Sequence, residues 1–91
     1  MATEIEFPFG EFWQPIEEYV GFRAMIGKDR IDCSVTQKAL NRYFKGKGQD
    51  PIVVFKANRP AIQAVAEAKI KKRGKKMLEG PCALDVDDFK K

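Results

Sequence analysis

There is no histidine in this chain. Its absence removes the usual general base near neutral pH and the commonest metal ligand. Cysteine is scarce: Cys33 and Cys82 are too few for a disulfide scaffold, and their spacing matches no metal motif. A reduced, cytoplasmic setting is the natural expectation. No apolar run is long enough to cross a bilayer, and the first residues are acidic, unlike a signal peptide, so no membrane role is expected. Asp85, Asp87 and Asp88 cluster without the EF-hand spacing, which leaves a solvated acidic end. Gly46-Lys47-Gly48 lacks the Walker spacing and its Gly-Lys-Ser/Thr ending. Glu17 and Glu18 are adjacent at the start of a strand and point to opposite faces, so they form no carboxylate pair. No catalytic residue, metal site or cofactor site emerges, and an enzyme is not expected.

What the chain does have is a core and a segregated charge. Of 91 residues, 44% are hydrophobic and ten are aromatic, enough for one small domain over residues 1–91. So small a domain is only marginally stable alone, which leaves room for a homodimer. The net charge of +4 is unevenly spread. Residues 1–32 carry −4, residues 33–78 carry +10, and residues 79–91 carry −2. If the middle third forms a helical layer and the ends a sheet, one layer is basic and the other acidic.

The stretch from 50 to 73 organises the rest. Asp50 suits a helix N-cap and Pro51 the first helical position. Ile52, Phe55, Ile62, Ala66 and Ile70 recur at spacings of three, four and seven along one face. Pro60 interrupts that pattern, and Asn58 can cap a second segment, so two segments meeting at a bend are expected. Arg59 falls on the apolar stripe. It either lies over the core edge paired with a carboxylate or contacts an anion or ligand at the bend.

The remaining elements follow in order. Ile5, Phe7 and Phe9 alternate with polar residues and Pro8, which predicts a short edge strand. Residues 10–15 read as a loop in which Phe12 and Trp13 close one end of the core, the alternative being an exposed aromatic platform. Val20, Phe22, Ala24 and Ile26 give a clear strand. Gly27-Lys28 suits a type II′ turn, and Ile31, Cys33 and Val35 form the inner face of the next strand. This register pairs Ala24 with Ile31, Phe22 with Cys33 and Val20 with Val35, and sets Arg23 opposite Asp32. Thr36 caps a helix to about residue 45, with Ala39, Leu40, Tyr43 and Phe44 buried. Cys82, Leu84 and Val86 alternate as a last strand, and Phe89 folds back on the core. Both cysteines fall on the apolar parity of their strands and read as small core residues. The fold class is α+β with two layers: an antiparallel sheet of about four strands, and two helices on one face. The order is strand, strand, strand, helix, long kinked helix, strand.

The feature that stands out is KIKKRGKK over residues 69–76. Lys69, Lys71, Lys72, Arg73, Lys75 and Lys76 form the candidate nucleic-acid-binding set, extended by Lys38, Arg42 and Lys45. Such a patch would bind phosphates in a salt-dependent, mostly sequence-independent way. The same residues also complement a helix C-terminus and keep a small protein soluble. No aromatic is interleaved for base stacking.

The run Cys33-Ser34-Val35-Thr36, then Ala39-Leu40, Phe44, Phe55, Asn58-Arg59, Ile62, Ala66, Lys69-Ile70 and Asp88-Phe89, resembles a family of small bacterial proteins. That family is known as a domain of unknown function, number fourteen-eighty-eight in its series. The phenylalanine-rich start and the Val20-Phe22 strand fit it too. The resemblance implies a small α+β domain from a bacterium and brings no activity, cofactor or catalytic residue with it. Pro60 and the heavy run of residues 71–76 depart from its pattern.

Two functional expectations follow. The first is a non-enzymatic cytoplasmic domain that binds or regulates a protein partner, with homodimerisation through a sheet edge or the outer positions Tyr19 and Met25. The second is weak nucleic-acid binding through the basic tract.

Overall fold

Among the described residues, fifteen apolar side chains lie almost wholly out of water between a sheet and a layer of helices. The computed structural model describes residues 5–73 and 80–89. Four strands, β1 (Phe12–Gln14), β2 (Tyr19–Ile26), β3 (Asp29–Thr36) and β4 (Cys82–Leu84), lie side by side in sequence order. Three helices, α1 (Gln37–Tyr43), α2 (Pro51–Ala57) and α3 (Arg59–Lys71), are inserted between β3 and β4, and a short 3₁₀ helix (Val86–Phe89) follows. The fold is α+β in two layers, as the sequence indicated.

The central hairpin has the expected register. Val20 pairs with Val35, Phe22 with Cys33, Ala24 with Ile31 and Arg23 with Asp32. Gly27 has φ +62°, and Lys28 is not in the positive-φ region, which suits a type II′ turn. The inner parity of β2 and β3 supplies Val20, Phe22, Ala24, Ile31, Cys33 and Val35 to the core. Asp32 forms its ion pair along its own strand, with Arg30 at 3.4 Å.

The helices form where their caps predict. Thr36 Oγ1 accepts the Ala39 N–H at 3.1 Å, and Asp50 Oδ1 accepts the Ile52 N–H at 2.9 Å. Helix α1 stops at Tyr43, earlier than expected, and Lys45 adopts φ +53° in the turn beyond it. The long helical stretch is broken at Asn58 into α2 and α3. Asn58 does not cap α3 with its side chain. Its Nδ2 instead donates back to the Val54 carbonyl at 2.9 Å. Pro60, the second residue of α3, removes one of the two N–H groups a cap would use. Ile62, Ala66 and Ile70 are fully buried, so α3 does shield the sheet.

Three expectations are corrected. Residues 5–9 do not make a strand; Glu6 alone bridges Met25, through bonds of 2.9 and 2.7 Å. Pro8 withholds a ladder N–H, and Gly10, at φ +133°, turns the chain away. The edge position belongs to Phe12–Gln14, within the segment read as a loop, which pairs Phe12 with Gly21, Trp13 with Val20 and Gln14 with Tyr19. Finally, the sheet is mixed: β4 runs parallel to β3, pairing Cys33 with Cys82, Ser34 with Ala83 and Val35 with Leu84. An intervening helical crossover is what permits parallel pairing. Phe89 does fold back, 5.8 Å from the Tyr43 ring and 5.5 Å from Phe44.

Candidate interaction surface

The described helices lie on one face of the sheet, and no described helix covers the other. Strand parity dictates what that outer face presents. It carries Phe12 from β1, Tyr19, Gly21, Arg23 and Met25 from β2, Asp32 and Ser34 from β3, and Ala83 from β4. Small residues at Ser34 and Ala83 make a depression between larger neighbours, while the Phe12 ring covers Gly21. A groove of about 410 Å³ runs there, lined by Phe12, Glu17, Tyr19, Asp32, Ser34 and Ala83 among others. The Phe12 ring lies edge-on to Tyr19 with centroids 6.4 Å apart, and remains 54% exposed. Its neighbour Trp13 points the other way and packs against the core. The pair Phe12-Trp13 thus divides between the two roles considered for it. Tyr19 and Met25, the expected outer positions, are both half-buried on this face.

The candidate basic residues prove to be unlike one another. Lys69 turns toward the sheet: its Nζ donates to the Ala83 carbonyl at 2.6 Å and pairs with Asp88 at 3.0 Å. Arg73 donates to the carbonyls of Gly80 and Pro81 at 3.1 and 2.7 Å. Both tie α3 to the strand that follows it. Lys71 pairs with Glu67 one turn back, at 3.1 Å. Lys72 is exposed and forms no ion pair with a described residue. Lys75 and Lys76 lie outside the described residues. Lys69 and Lys72 rim a second groove of about 520 Å³ along α3, floored by Ala64, Val65 and Ala68 and closed by Asp88.

Arg59 takes the first of its two readings. Its guanidinium pairs with Glu11, lies 4.6 Å from the centre of the Phe9 ring and reaches over Phe55. The Glu11 side chain is only 6% exposed, so the pair closes the core edge at the helix bend.

Two further groupings were not visible in the sequence. Thr36 Oγ1, besides capping α1, donates to Asp85 Oδ1 at 3.0 Å. The Val86 N–H and this hydroxyl both bond the Asp85 carboxylate and hold its pKa below the usual value. The second grouping is the cysteine pair. Cys33 and Cys82 face one another across β3 and β4, both free and both buried. The Cys33 thiol has two acceptors in reach: the Ile31 carbonyl at 3.7 Å and the Cys82 sulfur. Donation from Cys33 lowers the Cys82 pKa to about 7 against the opposing effect of burial, with Arg73 and Lys69 adding to the lowering. The same contact, together with burial, pushes Cys33 up. No group of three or more potential metal-ligating side chains occurs among the described residues. No described helix is long and apolar enough to cross a membrane.

Comparison with known proteins adds a family and a fold. Residues 5–79 match the model of a protein family of unknown function, DUF1488. A crystal structure of a protein of unknown function from the DUF1488 family, from Shewanella loihica PV-4, superposes with a TM-score of 0.73 at 21% identity. The alignment covers 92% of this chain and 94% of that one. Among curated proteins nothing matches.

Proposed function

The chain belongs to the DUF1488 family of proteins of unknown function, and from that premise we propose that it is a small cytoplasmic binding domain without catalytic activity. It regulates or recruits a protein partner through the uncovered face of its sheet. One observation carries this reading: the outer face holds a groove with an aromatic wall, Phe12 and Tyr19, and a floor of small side chains, Ser34 and Ala83. An exposed aromatic side chain beside a recess is a common way for a protein surface to receive a partner's side chain. Glu17 and Asp32 on its margin favour a partner that brings an apolar side chain flanked by a cation.

The test is site-specific photo-cross-linking from Ala83 in the native host. A discrete adduct is expected, and Ser34→Arg, which fills the floor, is expected to abolish it. Absence of any adduct from the unmodified groove, or an adduct indifferent to Ser34→Arg, overturns the reading. If the adduct is a second copy of this chain, sedimentation at two concentrations will show the dimer.

Nucleic-acid binding through the basic tract has less support. Lys69 and Arg73 spend hydrogen bonds on β4 and the segment before it, and Lys71 is paired. Phosphate contacts by the tract would make binding of a generic RNA fall steeply with salt. Affinity that ignores salt, or that survives charge reversal at Lys71, Lys72, Lys75 and Lys76, removes this alternative.

A further inference from the structure

The core contains one pair of nucleophilic side chains that packing alone does not require. Cys33 and Cys82 stand directly opposite on neighbouring parallel strands, both buried on the inner parity. Opposed residues of neighbouring strands sit about 4.8 Å apart. That lies inside the Cα separation a disulfide tolerates, whereas the preferred Cβ separation is nearer ~3.8 Å. Closing a bond here has to draw the two Cβ atoms together within a fixed strand spacing, which leaves it strained and hence easily reduced again. Strand β4 is a short edge strand. It spans three residues, with Lys69 of α3 bonding the Ala83 carbonyl and Arg73 bonding the Pro81 carbonyl just before it. Local opening of such an edge admits small molecules without global unfolding.

We propose that Cys33 and Cys82 are a reversible oxidation site for hydrogen peroxide, closing to a disulfide that pins β4 to β3. The Cys82 thiolate, stabilised by the Cys33 thiol and by nearby Arg73 and Lys69, attacks one peroxide oxygen. The O–O bond breaks, hydroxide leaves, and Cys82 becomes a sulfenic acid. The Cys33 sulfur then attacks the Cys82 sulfur; the S–O bond breaks, and the hydroxyl departs as water with the Cys33 proton. Two thiols have lost two electrons, and one peroxide has become two waters once the hydroxide is protonated. Two equivalents of a small thiol return the pair to its reduced state by exchange.

The experiment treats the folded protein with hydrogen peroxide, then unfolds it and counts thiols by alkylation. Both thiols are expected to disappear, a Cys33–Cys82 cross-linked peptide to appear in the mass spectrum, and dithiothreitol to restore both. In Cys33→Ala, Cys82 is expected to stop at the sulfenic acid and to be trapped by dimedone. Persistence of both thiols in the native protein while its methionines oxidise overturns the proposal. So does oxygen addition without a cross-link, or a disulfide joining two chains. The wild-type thiol count stands by itself if Cys33→Ala fails to fold.

Discussion

The ring of Phe12 occupies the space a side chain at Gly21 would need: a Cβ built at position 21 would lie 2.3 Å from Phe12 Cζ. The two residues are cross-strand partners on the outer face. Glycine inside a strand ordinarily weakens it, and here an aromatic neighbour covers the exposed backbone. The obstacle is the far end of a mobile, half-exposed ring, so Gly21→Ala will displace the ring rather than unfold the sheet. Its net effect should stay within about 1 kcal/mol, because the lost cover is offset by reduced freedom of the unfolded chain. In a Phe12→Ala background the same change should become stabilising by about 0.4–1 kcal/mol. A double-mutant cycle by urea unfolding measures this coupling, and additivity of the two changes would contradict it.

Arg59 and Glu11 make a different kind of pair. Glu11 is nearly out of water, and the Arg59 guanidinium is its ion-pair partner. Arg59→Met leaves a carboxylate without its cation at the core edge and should cost about 2–3 kcal/mol. Arg59→Met combined with Glu11→Gln should recover part of that loss, since the stranded charge is gone. Chemical denaturation of the two variants beside the parent checks the order, and equal losses for the single and double changes would refute it.

Much of this architecture was legible because single local rules decided it. The hairpin register followed from period-2 alternation on both sides of Gly27-Lys28, and the caps at Thr36 and Asp50 from side-chain oxygens two or three residues before the N–H groups they accept. The helix break at Pro60 followed from a missing N–H. The failures share one cause, which is dependence on a distant partner. Nothing near Phe12 announces a strand; it becomes one because β2 offers an edge beside Gly21. The direction of β4 is set by the length of the helical crossover, and its three residues carry no directional signal. The outer groove and the cysteine pair exist only once β3 lies between β2 and β4. Lys69 and Arg73 looked like surface charge because their acceptors, the carbonyls near Ala83 and Gly80, lie 7 to 14 residues further along the chain.

Those two cations should therefore behave differently from their neighbour. Lys69→Ala removes bonds to the Ala83 carbonyl and to Asp88 and should destabilise by about 1 kcal/mol, after allowance for partial exposure. Lys72→Ala should change stability by less than about 0.5 kcal/mol. Thermal or urea melts of both variants check this, and equal effects would mean that Lys69 is no more structural than Lys72.

Asp85 links stability to acid. Its folded pKa is lowered because the Val86 N–H and the Thr36 hydroxyl bond the ionised form. The unfolded state therefore binds the proton more readily. The stabilisation is fully present above the ordinary carboxylate pKa and is lost as pH falls through the lower folded value. Asp85→Asn should flatten the acid limb of the stability curve below pH ~3.8 and lower stability across the neutral range, where the ionised carboxylate contributes in full. Thr36→Ala should weaken the same acid limb and also cost about 1 kcal/mol at neutral pH, because the α1 cap is lost with the hydroxyl. An unaltered acid limb in both variants would show that Asp85 is not the linked group.

The cysteine pair links stability to the opposite end of the pH scale, and the sign follows from which partner ionises. Cys82 is lowered to about 7 in the folded protein, whereas a thiol in the unfolded chain titrates near 9.0. Between those values the unfolded state holds a proton that the folded state has released, so stability rises as pH increases from 7 to 9. Above that range the order reverses: Cys33, pushed up in the fold, keeps its proton while the unfolded thiol loses its own. The curve should therefore pass through a maximum near pH ~9 under reducing conditions. Cys82→Ala should abolish the rise, and Cys33→Ala should diminish it, because the thiol that donates to Cys82 is gone. Urea midpoints at half-unit intervals from pH 6.5 to ~10.5 resolve the shape. A wild-type curve that is flat or falling from 7 to 9 would show that Cys82 stays protonated in the core.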